Sequence, residues 1–96
     1  MELAEAITRW FRTPTTREYL TAIARCQEPA SVADIHEQIA RMIGKPMRKS
    51  KIGLDLKALE KRGLILQHQP TASLPKYYRL SVIGRVVVEQ STPAHG

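Results

Sequence analysis

The stretch from Ile52 to Leu80 constrains this 96-residue chain more than any other. It opens with IGLDLKALEKR, in which Ile52, Leu56 and Leu59 recur at i, i+4 and i+7. Apolar residues at that spacing form one stripe of a helix, and the stripe has to be buried. Gly63 follows, a residue suited to the left-handed cap that ends a helix. Leu64-Ile65-Leu66 is a short apolar run that turns polar, as a strand entering a hairpin does. Gln69–Pro75 consists of loop formers, and Tyr77-Tyr78-Arg79-Leu80 is rich in strand formers. The order is therefore helix, stop, strand, loop, strand.

Positive charge is concentrated at the start of this unit. Lys45, Arg48, Lys49, Lys51, Lys57, Lys61 and Arg62 stand against Asp55 and Glu60, which places five of the chain's six net positive charges between residues 45 and 62. Net charge alone says little about a partner, but a cluster of bases on one helix is the electrostatic footprint of a phosphate-binding surface.

The rest of the chain predicts further helices. Leu3, Ala6, Ile7, Trp10 and Phe11 make an apolar stripe over 1–12, ended at Thr13-Pro14 because the residue before proline avoids the helical region. Thr15 and Glu18 have the spacing of a capping box opening a helix over 15–27, with Tyr19, Leu20, Ile23 and Ala24 facing inward. Ser31 and Asp34 repeat that signal for a helix over 31–43 with Val32, Ile35, Ile39 and Met42 or Ile43 inside. Gly44-Lys45-Pro46 stops it, and the basic helix occupies 48–62. A wing spans 64–80. Ser81 caps a last helix over 81–90 bearing Ile83, Val86 and Val87, although these β-branched residues also suit a strand.

These elements make one α+β, mostly α domain over 1–96: a three-helix core with a two-stranded wing and extra helices at both ends, the layout of a winged helix-turn-helix. In a helix-turn-helix the second helix enters the major groove and its N-terminal part reaches base edges. With the apolar stripe inward, Lys49, Ser50, Lys51, Gly53, Leu54 and Lys57 face out. Lys and Ser donate to guanine or phosphate, and an apolar side chain touches a thymine methyl. For Leu54, packing against a neighbouring side chain is the other reading. Lys45 and Arg48 flank the helix start, whose partial positive charge favours a phosphate. Lys76 and Arg79 at the wing base complete the candidate DNA-binding set.

The run KSKIGLDLKALEKRGLI resembles the recognition helix of winged-helix repressors, and PKYYRLSVIGR resembles their returning wing strand and following helix. The resemblance is to the PadR-like group, with MarR and ArsR families as wider relatives. Ile52, Leu56, Leu59, Glu60, Gly63, Leu64 and Ile65 match one pattern of these families; Tyr78, Leu80, Ser81 and Gly84 match a second. The resemblance covers about Thr15 to Glu89 and implies a transcriptional regulator that dimerises through its terminal helices. It departs from the family at the wing tip, where Gln67–Pro75 carries His68 but no Arg or Lys, and at Leu54, where a polar residue is more usual.

Other residues admit plainer readings. Cys26 suits a redox sensor or a small buried hydrophobe. One cysteine excludes an intramolecular disulfide, which fits a reducing compartment. His36, His68 and His95 form no cluster at metal-ligand spacing. Asp34 and Glu37 look like helix-start charges. No phosphate-cradling glycine loop, acid pair or nucleophile with a base is present, so neither an enzyme nor a cofactor or metal is expected. No apolar run approaches the roughly 20 residues of a membrane span, and the N-terminus lacks the basic region of a signal peptide; a cytoplasmic protein without a membrane partner is expected.

A core of three helices and a wing requires neither terminal helix. Leu3, Ile7, Trp10, Phe11, Ile83 and Val87 are therefore expected at a twofold homodimer interface. The function expected is sequence-specific binding of double-stranded DNA as a dimeric regulator, with repression the simplest mechanism. The alternatives are a winged helix used for protein contacts in a replication, partition or transcription assembly, and a non-specific architectural DNA binder.

Overall fold

The computed structural model describes residues 13–91. Four helices and a small sheet follow in the order α1 (Thr16–Arg25), β1 (Ala30–Ser31), α2 (Val32–Ile43), α3 (Lys49–Lys61), β2 (Ile65–His68), β3 (Tyr77–Leu80) and α4 (Val82–Ser91). The helix expected over 1–12, with Leu3, Ile7, Trp10 and Phe11, lies outside the described residues.

Local chemistry sets the helix starts. Thr15 accepts from the Glu18 amide at 3.1 Å while Glu18 accepts from the Thr15 amide at 2.9 Å. Ser31 and Asp34 repeat this reciprocal pair at 3.1 and 3.3 Å. Each satisfies two amides that a helix start leaves unpaired. α1 is shorter than its expected span over 15–27, ending at Arg25 with Cys26 as an extended cap residue.

Two glycines end α2 and α3. Gly44 and Gly63 have φ of 75° and 76°, a region that side chains with a Cβ rarely adopt. At the second, Leu64 N–H donates to the Leu59 carbonyl and Gly63 N–H to the Glu60 carbonyl. These two hydrogen bonds turn the chain directly from α3 into the sheet.

The sheet is antiparallel with the order β1-β3-β2, so the wing expected to be two-stranded is part of a three-stranded sheet. The added strand, Ala30–Ser31, has Ala30 opposite Tyr78 and Ser31 opposite Tyr77. Two residues are too few to show a period-2 pattern; they are a strand because Tyr77-Tyr78 offers a free edge.

Leu20, Ile23, Ile35, Ile39, Ile52, Leu56 and Ile65 are fully buried in one core shared by α1, α2, α3 and β2. Burying such side chains stabilises by about 1.5–3 kcal/mol each before entropy is counted. On α1 the inner face includes Ala22 rather than the expected Ala24, which is exposed. Tyr78 is buried and Tyr77 half-buried, as alternation along a strand requires. α4 is a helix, and its Val87 and Val88 pack partly against the core.

α4 is fixed by close backbone approach. Ser81 donates through its hydroxyl to the Gly63 carbonyl at 2.6 Å and through its amide to the Leu64 carbonyl at 3.1 Å. The same hydroxyl accepts from the Gly84 amide at 3.0 Å. A Cβ on Gly84 would lie 2.2 Å from the Leu64 carbonyl oxygen. Serine and glycine three positions apart thus cap one helix and join it to the end of another.

Candidate nucleic-acid interface

α2 and α3 are joined by the turn from Gly44 to Arg48. His36 on α2 reaches forward to this turn, its Nε2 donating to the Met47 carbonyl in the tautomer that protonates Nε2. The contact holds the turn against α2 immediately before the first residues of α3.

α3 buries Ile52, Leu56 and Leu59 and presents its remaining faces outward. Arg48, Lys49, Ser50, Lys51, Leu54 and Lys57 are exposed, and Lys45 and Gly53 are intermediate. The start of α3 differs from those of α1 and α2: Arg48 provides no side-chain cap, and the first turn contains no acid. Its unpaired amide donors therefore point into a region of positive charge. Lys45, Pro46, Met47, Arg48 and Lys51 line a shallow depression there. Ser50, Gly53, Leu54 and Lys57 occupy a second, adjoining line, at the spacing that stacks residues on one helix face.

Lys51 is paired with an acid of its own helix. Its Nζ lies 3.0 Å from Asp55 Oδ1, one turn further along α3. The Tyr19 hydroxyl of α1 donates to Asp55 Oδ2 at 2.5 Å. Burial first, and then the Asp55 carboxylate, raise the Tyr19 pKa far above its ordinary value. Close by, Arg62 donates to the Thr16 hydroxyl at 3.3 Å. The Lys51–Asp55 pair was readable as an i,i+4 pair; the tyrosine 36 positions away gave no local signal.

The wing is built differently from α3. Across its outer face Leu66 lies opposite Arg79 and His68 opposite Tyr77. Its connecting loop closes on itself: Gln69 Nε2 donates to the Leu74 carbonyl at 2.8 Å, Leu74 N–H to the Thr71 carbonyl at 3.1 Å, and the Thr71 and Ser73 hydroxyls lie 3.0 Å apart. Lys76 and Arg79 are exposed. Arg79 sits beside Pro29, Leu66, Gln67 and His68, on a different element from the α3 bases.

Glu28 is a residue that the sequence did not single out. Continuing the register of β1 sets it opposite Leu80, and its Oε2 accepts the Leu80 amide at 2.8 Å. Its Oε1 meets Arg85 of α4 at 3.1 Å. One carboxylate thus ties the segment after α1 to both the wing strand and α4.

Cys26 packs partly against the core. Burial, followed by the charges of Asp34 and Glu37, raises its thiol pKa, the opposite of what a reactive thiolate requires. Among the described residues, no group of three or more His, Cys, Asp or Glu could hold a metal ion, and no helix is long and apolar enough to cross a membrane. Of the terminal residues expected at an interface, Ile83 is 60% exposed and Val87 partly buried, with Val82 and Val86 also exposed beside Ile83.

No protein-family model matches the chain, and no curated protein matches it in sequence. Solved structures do match. The protein hsRosR, solved in a complex, superimposes with a TM-score of 0.71 at 17% identity over 88% of this chain and 72% of its own. MepR, a transcription regulator of the Staphylococcus aureus multidrug efflux pump MepA, does so with a TM-score of 0.59 at 21% identity over 90% of this chain. A single-residue mutant of MepR bound to an oligodeoxyribonucleotide gives 0.55 at 18% identity over 92% of this chain. This chain spans 59% of the MepR chain in the first of these MepR structures. Element order, sheet topology and these superpositions agree on the fold: the chain is a winged helix-turn-helix.

Proposed function

We propose that this chain binds double-stranded DNA sequence-specifically as a homodimeric transcriptional regulator of the PadR-like kind, with α3 in the major groove. The observation that carries the reading is the exposed, acid-free start of α3, where Arg48, Lys49 and Lys51 surround amide donors with no side-chain cap. Such a surface attracts phosphate through side-chain charge and through the helix terminus together. The DNA-bound MepR neighbour supports the same use of the fold. In a twofold dimer the two copies of α3 would lie roughly 34 Å apart, one helical turn of DNA, on a pseudo-palindromic site. A dimer seated on a promoter excludes polymerase, so repression follows without further machinery.

Lys45, Arg48, Lys49 and Lys51 serve the phosphates, with Ser50, Gly53, Leu54 and Lys57 toward the bases. Lys76 and Arg79 contact the backbone from the wing base. The wing tip, lacking Arg and Lys, makes no minor-groove insertion in this reading.

Salt-titrated binding tests the proposal. Affinity for a sequence selected from a random duplex pool should exceed that for random DNA by about a thousandfold or more, and should fall steeply with salt. Charge reversal at Arg48 and Lys49 together, which leaves the Lys51–Asp55–Tyr19 link in place, should weaken binding and flatten the salt dependence while the domain stays folded. A protein-contact module would show little DNA affinity at any salt. An architectural binder would show steep salt dependence without a preferred sequence.

A further inference from the structure

Gly53 lies in the interior of α3, where glycine is unfavourable relative to alanine. Its backbone gives no reason for it, because the positive φ values among the described glycines belong to Gly44 and Gly63. Packing gives none either: a Cβ built on Gly53 would meet nothing within 4 Å. Gly84 shows the contrast, since there the protein's own backbone fills the space. The space above Gly53 opens outward, on the face that holds Ser50 and Lys57.

Leu54 stands next to this gap and is 67% exposed. A single exposed leucine is ordinary on a protein surface. An exposed leucine beside an unfilled helical notch, with Lys51 and Lys57 three positions to either side, is a different arrangement. It offers a close-approach point and an apolar contact within a cationic frame, which complements the major groove and its phosphates.

We propose that Gly53 and Leu54 are the specificity-determining residues of α3: the notch at Gly53 lets the helix backbone lie against base edges, and Leu54 contacts the 5-methyl group of a thymine. This rests on the DNA-binding reading above. Major-groove thymine methyls are the apolar feature by which a leucine distinguishes T·A from C·G. Ser50, one turn earlier, supplies a hydroxyl to the neighbouring base or phosphate. The recognised half-site therefore contains a thymine under the middle of α3.

The test uses the full chain and a duplex selected from a random pool, with each thymine replaced in turn by deoxyuridine, which pairs identically but lacks the methyl group. One thymine in each half-site should cost about fivefold or more in affinity when replaced. Leu54→Ala should show that loss on the unmodified duplex and no further loss at the same deoxyuridine, the non-additivity expected of a direct contact. Gly53→Ala should raise Tm by about 4 °C, because alanine is the better helix former, and yet weaken binding about tenfold. Tight binding by Gly53→Ala, or deoxyuridine tolerated at every position, would overturn the inference while leaving DNA binding intact. Failure to select any duplex would overturn the DNA-binding reading and this inference together.

Discussion

Asp55 joins Tyr19 to Lys51: the buried tyrosine donates to one carboxylate oxygen at 2.5 Å, and the lysine ammonium lies 3.0 Å from the other. The tyrosine comes from α1 and the lysine from the exposed side of α3, so the carboxylate links the core to the cationic surface. The link should be visible in the alkaline stability of the domain. Tyr19 holds its proton well above the ordinary value of 10.0, because burial and the Asp55 charge both oppose the phenolate. The unfolded chain releases that proton first. The stabilisation is therefore complete below about pH 10 and is lost as pH rises beyond it. Tyr19→Phe should cost about 1–3 kcal/mol near neutrality and make the alkaline fall shallower. Tyr78, whose pKa burial and Glu60 also raise, would supply a remaining part. Urea midpoints measured on both sides of pH 10 check this; identical alkaline slopes for the two proteins would sink it.

Glu28 separates a hydrogen bond from a salt bridge at one carboxylate. Its ion pair with Arg85 is partly solvated, the Arg85 side chain being 55% exposed, and pairs of that kind contribute little. Its bond to the Leu80 amide replaces the ladder partner that β1 does not supply. Glu28→Gln keeps an acceptor for that amide and should cost under about 1 kcal/mol. Glu28→Ala removes it and should cost about 1–3 kcal/mol. Chemical denaturation of the two variants gives the comparison, and equal losses would show that the ion pair carries the effect.

Gly84→Ala should damage the fold although it adds one methyl group. The new Cβ would lie 2.2 Å from the Leu64 carbonyl oxygen, and a backbone atom has no rotamer by which to move aside. α4 would have to lift from the end of α3, straining the Ser81 bonds to Gly63 and Leu64. Overpacking of this kind costs about 1–3 kcal/mol, and a value near the upper end is expected here. A thermal scan would show a fall of several degrees at least; an unchanged Tm would mean that α4 can move away from the Leu64 carbonyl at little cost.

These contacts show which parts of the architecture were legible in the sequence. The starts of α1 and α2 were, because Thr15/Glu18 and Ser31/Asp34 are local pairs three residues apart. The end of α3 was, because Gly63 answers a purely local backbone demand. Ala30–Ser31 was not, because its strand character comes from Tyr77 and Tyr78, far along the chain. Ala22 and Ala24 carry identical side chains, so only the packing of α1 against its neighbours decides which is buried. The same division applies to the candidate site. Exposed bases on α3 follow from helical period and charge, but the restraint on Lys51 by Asp55, and on Asp55 by Tyr19, includes a contact 36 positions apart. Glu28 serves β3 and α4 across still greater separations.

The outer face of α4 bears on the proposed dimer. Val82, Ile83 and Val86 are 79%, 60% and 43% exposed, whereas Val87 and Val88 turn partly toward the core. Substituting Ile83 therefore alters the outer surface and leaves the protomer's packing in place. For a twofold dimer that uses this face, light scattering at micromolar concentration should give twice the chain mass, and Ile83→Glu should give the single-chain mass. The parent Tm should rise with protein concentration and that of Ile83→Glu should not, because association stabilises by mass action. DNA affinity of the variant should fall as well, since two linked half-sites act with a raised effective concentration that separate protomers lose. A parent protein that is a strict monomer would rule out the dimer. A dimer that survives Ile83→Glu would assign its interface to another surface.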